Sequence, residues 1–210
     1  MNAIIYDTPP GIAHFVGSVL RAQGCRVSVT TDPEEARLKI ATSLFDVLVL
    51  GPAGAPRELA EFIEREFPQI PLVLAGVPQE IPPAGQVAAV LAAPLSAERL
   101  ASAFRRLDHR RRERLARLPV SLADEGVSIA CRLADLDDDR IVLAGESDEF
   151  HRYFGSGPRR VRVSILGMPL DGEVARADRS EFQRVRRVDV RVEGASARDL
   201  LARLQKQPAA

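Results

Sequence analysis

Apolar positions along this chain follow two different periods, one before about residue 107 and another after residue 117. In the first stretch, Ala3 to Tyr6 and Val47 to Leu50 are short unbroken apolar runs of the kind a parallel sheet buries on both faces. Ile12, Phe15, Val16, Val19 and Leu20 recur between them at helical spacing, and Gly24 supplies a stop before a strand at Arg26 to Thr30. Asp32 and Pro33 give an N-cap and first-turn signal for a helix over Glu34 to Ala41. The third strand, Phe45 to Leu50, runs into Gly51. A helix at Arg57 to Glu66, strands at Pro71 to Ala75 and Val87 to Leu91, and a last helix from Ser96 complete the alternation. Pro78, Pro82 and Pro83 predict a short or absent helix between Val77 and Gly85. Strands alternating with helices imply a doubly wound, five-stranded parallel sheet, an α/β fold.

Beyond Arg117 the segments become short, β-branched and often alternating: Val120 to Leu122, Val127 to Ala130, Ile141 to Leu143, Val161 to Ile165, Gly172 to Ala175 and Val185 to Val192. Asp124-Glu125-Gly126 and Gly155-Ser156-Gly157-Pro158 supply turn signals between them. Six strands in so short a stretch predict a small antiparallel β-barrel or sandwich. Leu200, Leu201 and Leu204 form one apolar stripe on a terminal helix suited to docking on that barrel. The expected organisation is therefore an α/β domain over 1–107, an arginine-rich arm over 108–118, and a β domain over 119–207.

A length of 210 residues agrees with two small domains. The 29 basic and 29 acidic side chains cancel, which argues against general attraction to nucleic acid or membranes. The junction departs from that balance, because residues 108–117 hold five arginines against Asp108 and Glu113. Cys25 and Cys131 fall in different domains without metal-ligand spacing, as expected of a reducing cytoplasm. The N-terminal residues lack a signal-peptide pattern, and no apolar run is long enough for membrane insertion.

The first half resembles a response-regulator receiver domain. Receivers hold a cation with an acidic pair after the first strand, where this chain has Asp7 followed by Thr8 and Pro9. Gly51 stands at the degenerate phospho-acceptor position, Ala75 where a hydroxyl is usual, and Ala93 before Pro94 where the family has lysine. Phosphoryl transfer needs a nucleophile, a cation and donors to the moving oxygens. A lone Asp7 does not supply that set, and its expected role is to cap local backbone at the strand end. The resemblance thus implies a protein-interaction surface without phosphorylation, a pseudo-receiver.

The second half resembles a PilZ domain, a bacterial module associated with cyclic di-GMP. Its first ligand motif, RxxxR, is matched by Arg110 and Arg114, with Arg117 a further candidate. Its second, [D/N]xSxxG, falls on Asp135 to Arg140, with Asp135 at the first position, Asp137 in place of serine and Arg140 in place of glycine. Arginine suits phosphates and guanine faces because its planar fork donates paired bonds and keeps its charge. Asp137 instead sets a negative charge beside an anionic ligand, and Arg140 stands where glycine would adopt left-handed backbone freely. A second reading of the arm remains open, in which Arg110 to Arg117 continue the last α/β helix as a solvated face.

His14, His109 and His151 are scattered and form no catalytic arrangement with Ser or Cys, so a non-enzymatic protein without a cofactor is expected. The leading reading is a cytoplasmic, cyclic di-GMP-responsive signalling protein with a protein partner still to be identified. A ligand-independent adaptor, including a homodimer through the receiver-like half, is the alternative. Nucleic-acid binding ranks third because no aromatic residues interleave the basic arm.

Overall fold

The computed structural model describes residues 1–7, 11–43, 45–68, 70–76, 87–124, 127–137, 139–155, 160–179, 185–193, 196, 199–200 and 203–204. The chain divides into two compact units, Met1–His109 with Ala202–Ala210, and Arg110–Leu201.

In the first unit β1 (Asn2–Tyr6), β2 (Arg26–Thr30), β3 (Val47–Leu50), β4 (Leu72–Ala75) and β5 (Val87–Leu91) form one sheet in the order β2-β1-β3-β4-β5. Every neighbouring pair is parallel. The alternation of the strands sorts their side chains onto two cores. Ala3, Ile5, Val47, Val49 and Val73 pack with α1 (Ala13–Ala22) and the first half of α4 (Ala97–Ala116). Ile4, Tyr6, Leu48, Leu50 and Leu72 pack with α2 (Pro33–Thr42) and α3 (Arg57–Glu66). Each fully buried aliphatic chain on these faces contributes roughly 1.5–3 kcal/mol. The Asp32 cap is formed as expected, its carboxylate accepting from Glu34 N at 3.0 Å. The expectation of a short or absent helix at 77–85 lies outside the described residues.

The second unit is a closed antiparallel barrel in the order β10-β11-β8-β7-β6-β9. Its strands are β6 (Val120–Asp124), β7 (Val127–Leu136), β8 (Arg140–Ala144), β9 (Arg160–Ile165), β10 (Met168–Arg179) and β11 (Val185–Val192). Closure removes the exposed edges of so small a sheet. Leu133, Leu136, Ile141, Leu143, Val188 and Val190 are among the side chains that fill it. The β9–β10 hairpin turns on Leu166 and Gly167, with φ of 53° and 77°, the positive pair that a two-residue hairpin needs to match strand twist.

The arm follows the second of its two readings: α4 continues unbroken from Ala97 to Ala116, stopping one residue short of Arg117, and the division between the units falls within it. A helix absent from the sequence reading, α5 (Asp148–Gly155), follows β8. Ser147 Oγ accepts from Phe150 N at 3.1 Å to start it, and Phe150 and Phe154, one turn apart, are buried with ring centroids 4.8 Å apart. Of the terminal helix, Leu200 and Leu204 are described and buried, while Leu201 lies outside the described residues.

Candidate functional site

Two clusters carry the residues singled out by sequence. The first lies where β1 and β3 end. The parallel register pairs Ala3 with Val47 and Ile5 with Val49, so one further step of two residues brings Asp7 beside Gly51 on the α1 side of the sheet. Asp7 is fully buried. Its Oδ2 accepts hydrogen bonds from Gly11 N, Ile12 N and Ala13 N at 2.8, 2.8 and 2.9 Å. Ile12, the residue preceding α1, offers no side-chain cap and the first turn holds no acid, so Asp7 satisfies the exposed amides from the neighbouring strand. A carboxylate here also meets the positive end of the helix dipole.

The other oxygen, Oδ1, is buried without a hydrogen-bond partner among the described residues and is aimed at Gly51. A Cβ built on Gly51 would stand 2.0 Å from Asp7 Oδ1 and 2.9 Å from its Cγ. Any side chain at 51, including an acceptor carboxylate, therefore collides with the carboxylate that caps α1. A divalent cation would need several converging oxygen ligands. Asp7 commits one oxygen to three amides and Gly51 contributes no carboxylate, so the donor set does not fit such a cation. Ala75 is buried at the end of β4 and provides no hydroxyl.

The second cluster joins the arm to the barrel within the second unit. Arg111 Nη1 donates to Asp135 Oδ1 at 2.6 Å, and its Nη2 donates to the Leu136 carbonyl oxygen. The two side chains are only 11% and 22% exposed. A register shift between Leu133 and Asp135, opposite Leu143 and Val142, creates this contact. Without the extra residue, two-residue alternation would send Asp135 into the barrel with Leu133. With it, Leu136 takes the interior place, 2% exposed, and Asp135 turns to the outer face. Burial pushes the Asp135 carboxyl up, and the Arg111 guanidinium with the Leu136 N–H more than offsets this, so its pKa lies below the usual value.

Arg110, Arg114 and Arg117 are exposed. Arg110 and Arg114 sit four residues apart on the α4 stripe next to the one that Arg111 shares with buried Leu107 and Leu115, and Arg117 follows in the turn just beyond the helix. The sequence motif thus picked the outward arginines and passed over the inward one. The buried spacing Leu100, Phe104, Leu107 points to position 111 when continued by four, which is the signal that was available.

Asp137 N donates to Arg140 O at 2.7 Å, closing the β7–β8 hairpin. Arg140 opens β8, and among the described non-glycine residues only Leu166 has a positive φ. The left-handed backbone expected at Arg140 is therefore not used, and extended strand admits any side chain there. Its guanidinium lies 3.6 Å from Asp189. Burial pushes the Cys131 thiol up to about 11, leaving little thiolate at neutral pH. Among the described residues no group of three or more His, Cys, Asp and Glu could hold a metal ion. No described helix is long and apolar enough to cross a membrane.

No protein-family model and no curated protein matches the chain. Solved receiver domains are similar to its first half. The receiver domain of the Francisella response regulator 1452 is 19% identical, with a TM-score of 0.45 over 52% of this chain and 98% of that one. The chemotaxis response regulator CheY4 of Vibrio cholerae is 20% identical, with a TM-score of 0.42 over 50% and 97%. A receiver domain of an HD domain-containing protein from Pseudomonas fluorescens Pf-5 is 18% identical, with a TM-score of 0.46 over 54% and 90%. Likeness at this level concerns chain topology, already given by the sheet order.

Proposed function

We propose that the chain is a non-enzymatic, phosphorylation-independent signalling protein of the cytoplasm, in which a receiver-like unit serves protein interaction and a PilZ-like unit responds to cyclic di-GMP. The observation that carries the nucleotide reading is the build of the arm. Arg110 and Arg114 form an exposed stripe on α4, whose neighbouring stripe is anchored to the barrel by Arg111, and Arg117 is exposed in the turn just beyond the helix. Guanidinium groups held on a fixed helix can meet phosphates and guanine faces with less ordering entropy than a loose tail would lose. The filled acceptor position at Asp7 and Gly51 supports the phosphorylation-independent part.

Calorimetric titration with cyclic di-GMP at physiological salt tests the reading, with the Arg110→Ala/Arg114→Ala double variant as control. Micromolar or tighter binding that disappears in the variant supports it; absence of heat at high protein concentration removes the ligand. A second reading, a ligand-independent adaptor, is favoured by one observation: Asp135 already spends its carboxylate on Arg111. That reading expects self-association or a stable protein partner without nucleotide, which sedimentation at several concentrations measures.

A further inference from the structure

We propose that Arg111, Asp135 and the Leu136 carbonyl form a latch that holds the arm on the barrel in the absence of any ligand, with Asp135 acting as a positioning residue for the arm. Three features fit a built contact better than a chance surface pair. The guanidinium uses two nitrogens on two different acceptors, a side-chain oxygen and a main-chain carbonyl, which demands a fixed planar fork. The acceptor carboxylate is fixed in turn, because Asp135 Oδ1 also accepts from Leu136 N at 2.9 Å. Finally, the bulge that aims Asp135 outward interrupts the β7–β8 register, a local irregularity of the kind that re-aims a side chain.

The surroundings set what the latch is worth. Exposed ion pairs contribute little because water and salt screen them. Arg162 and Asp171, 2.7 Å apart with 62% and 71% of their side chains exposed, are such a pair on the same barrel. Arg111 and Asp135 are largely withdrawn from water, so their contact is screened far less than an exposed pair, and removing Arg111 takes a counter-charge from a carboxylate that is mostly buried. The outer-face position flanked in register by Asp135 and Asp189 is Val142, only 1% exposed. The inference is independent of the nucleotide reading, since every group in the latch belongs to the protein.

The arm reports on its own opening, because Arg110, Arg112 and Arg114 are exposed trypsin sites within α4. Cleavage within a helix requires local unfolding, so its rate follows the population of the opened arm. The full-length protein without nucleotide is digested with limiting trypsin and the fragments are mapped by mass. Asp135→Ala is expected to raise cleavage at Arg110, Arg112 and Arg114 by roughly tenfold or more, with cleavage elsewhere in the barrel unchanged. Asp135→Asn, which keeps the acceptor and loses the charge, and Arg111→Lys, which cannot bridge both acceptors, are expected to fall between. Asp171→Ala is expected to match the wild type. Wild-type arm cleavage in a folded Asp135→Ala would overturn the latch. Should that variant fail to fold by circular dichroism, wild-type cleavage in both Asp135→Asn and Arg111→Lys would overturn it equally.

Discussion

Asp7 and Asp135 occupy corresponding roles in the two units: each is the acid that a receiver-like or PilZ-like resemblance would direct toward a cation or ligand, and each is turned onto the protein instead. They differ in what receives them. Asp7 is fully buried and meets the main-chain amides of Gly11, Ile12 and Ala13 at the start of α1, groups that cannot leave without unravelling the helix start. Asp135 is 22% exposed and meets a side chain on the arm, a contact between a side chain and the barrel. On the latch proposal the first arrangement is a permanent closure and the second a reversible one.

The sharpest way to break this comparison is at Gly51. Gly51→Ala would force Asp7 off its amides, and we expect a loss of about 2–4 kcal/mol in chemical denaturation. Asp7→Ala alone should cost about 2–3 kcal/mol, because three helix-start donors lose their acceptor. In the double variant the collision is gone, so the losses should fall short of their sum by about 1–2 kcal/mol. Additive losses would mean that the two positions do not contend for one space. Gly51→Asp, which restores an acceptor in sequence, should destabilise at least as much and should gain no label from a phosphoryl donor such as acetyl phosphate.

At the second acid the effects are smaller. Arg111→Ala and Asp135→Ala should each cost about 1–3 kcal/mol, read from denaturation of the full chain, with strong coupling in the double variant. The pH dependence has a definite sign. The folded-state pKa of Asp135 is lowered from the ordinary 3.8, so its contribution is fully present above that value and is lost as pH falls through the lower folded value. The gap in melting temperature between wild type and Asp135→Asn should therefore narrow below about pH 4. The smallest effect is expected on the barrel exterior, where Arg162→Ala should leave the melting temperature unchanged within error.

Much of this was legible from residue order, for identifiable reasons. Both strand periodicity and the Asp32–Pro33 signal depend on neighbours in sequence, and they placed the α/β elements and the six barrel strands. The contention between Asp7 and Gly51 was partly legible: both end strands, and parallel register on one face brings such ends together. The inward place of Arg111 was available from helical spacing, but a motif match drew attention to Arg110 and Arg114. The start of α5 was also written locally, in Ser147 with Phe150 and Phe154 one turn apart, and was obscured by the glycines at 155 and 157. The extra residue in β7 that turns Asp135 outward was not legible, because a bulge is set by cross-strand pairing with Leu143 and Val142.

Native-state hydrogen exchange without nucleotide tests the contrast between permanent and reversible closure in one experiment. The account predicts that the amides of Gly11, Ile12 and Ala13 exchange only through global unfolding of their unit, while those of Arg110 to Ala116 exchange through a smaller opening. Asp135→Ala should accelerate the arm amides and leave the α1 amides untouched. Rapid exchange at Gly11 to Ala13 in the wild type, or arm protection unchanged by Asp135→Ala, would contradict it.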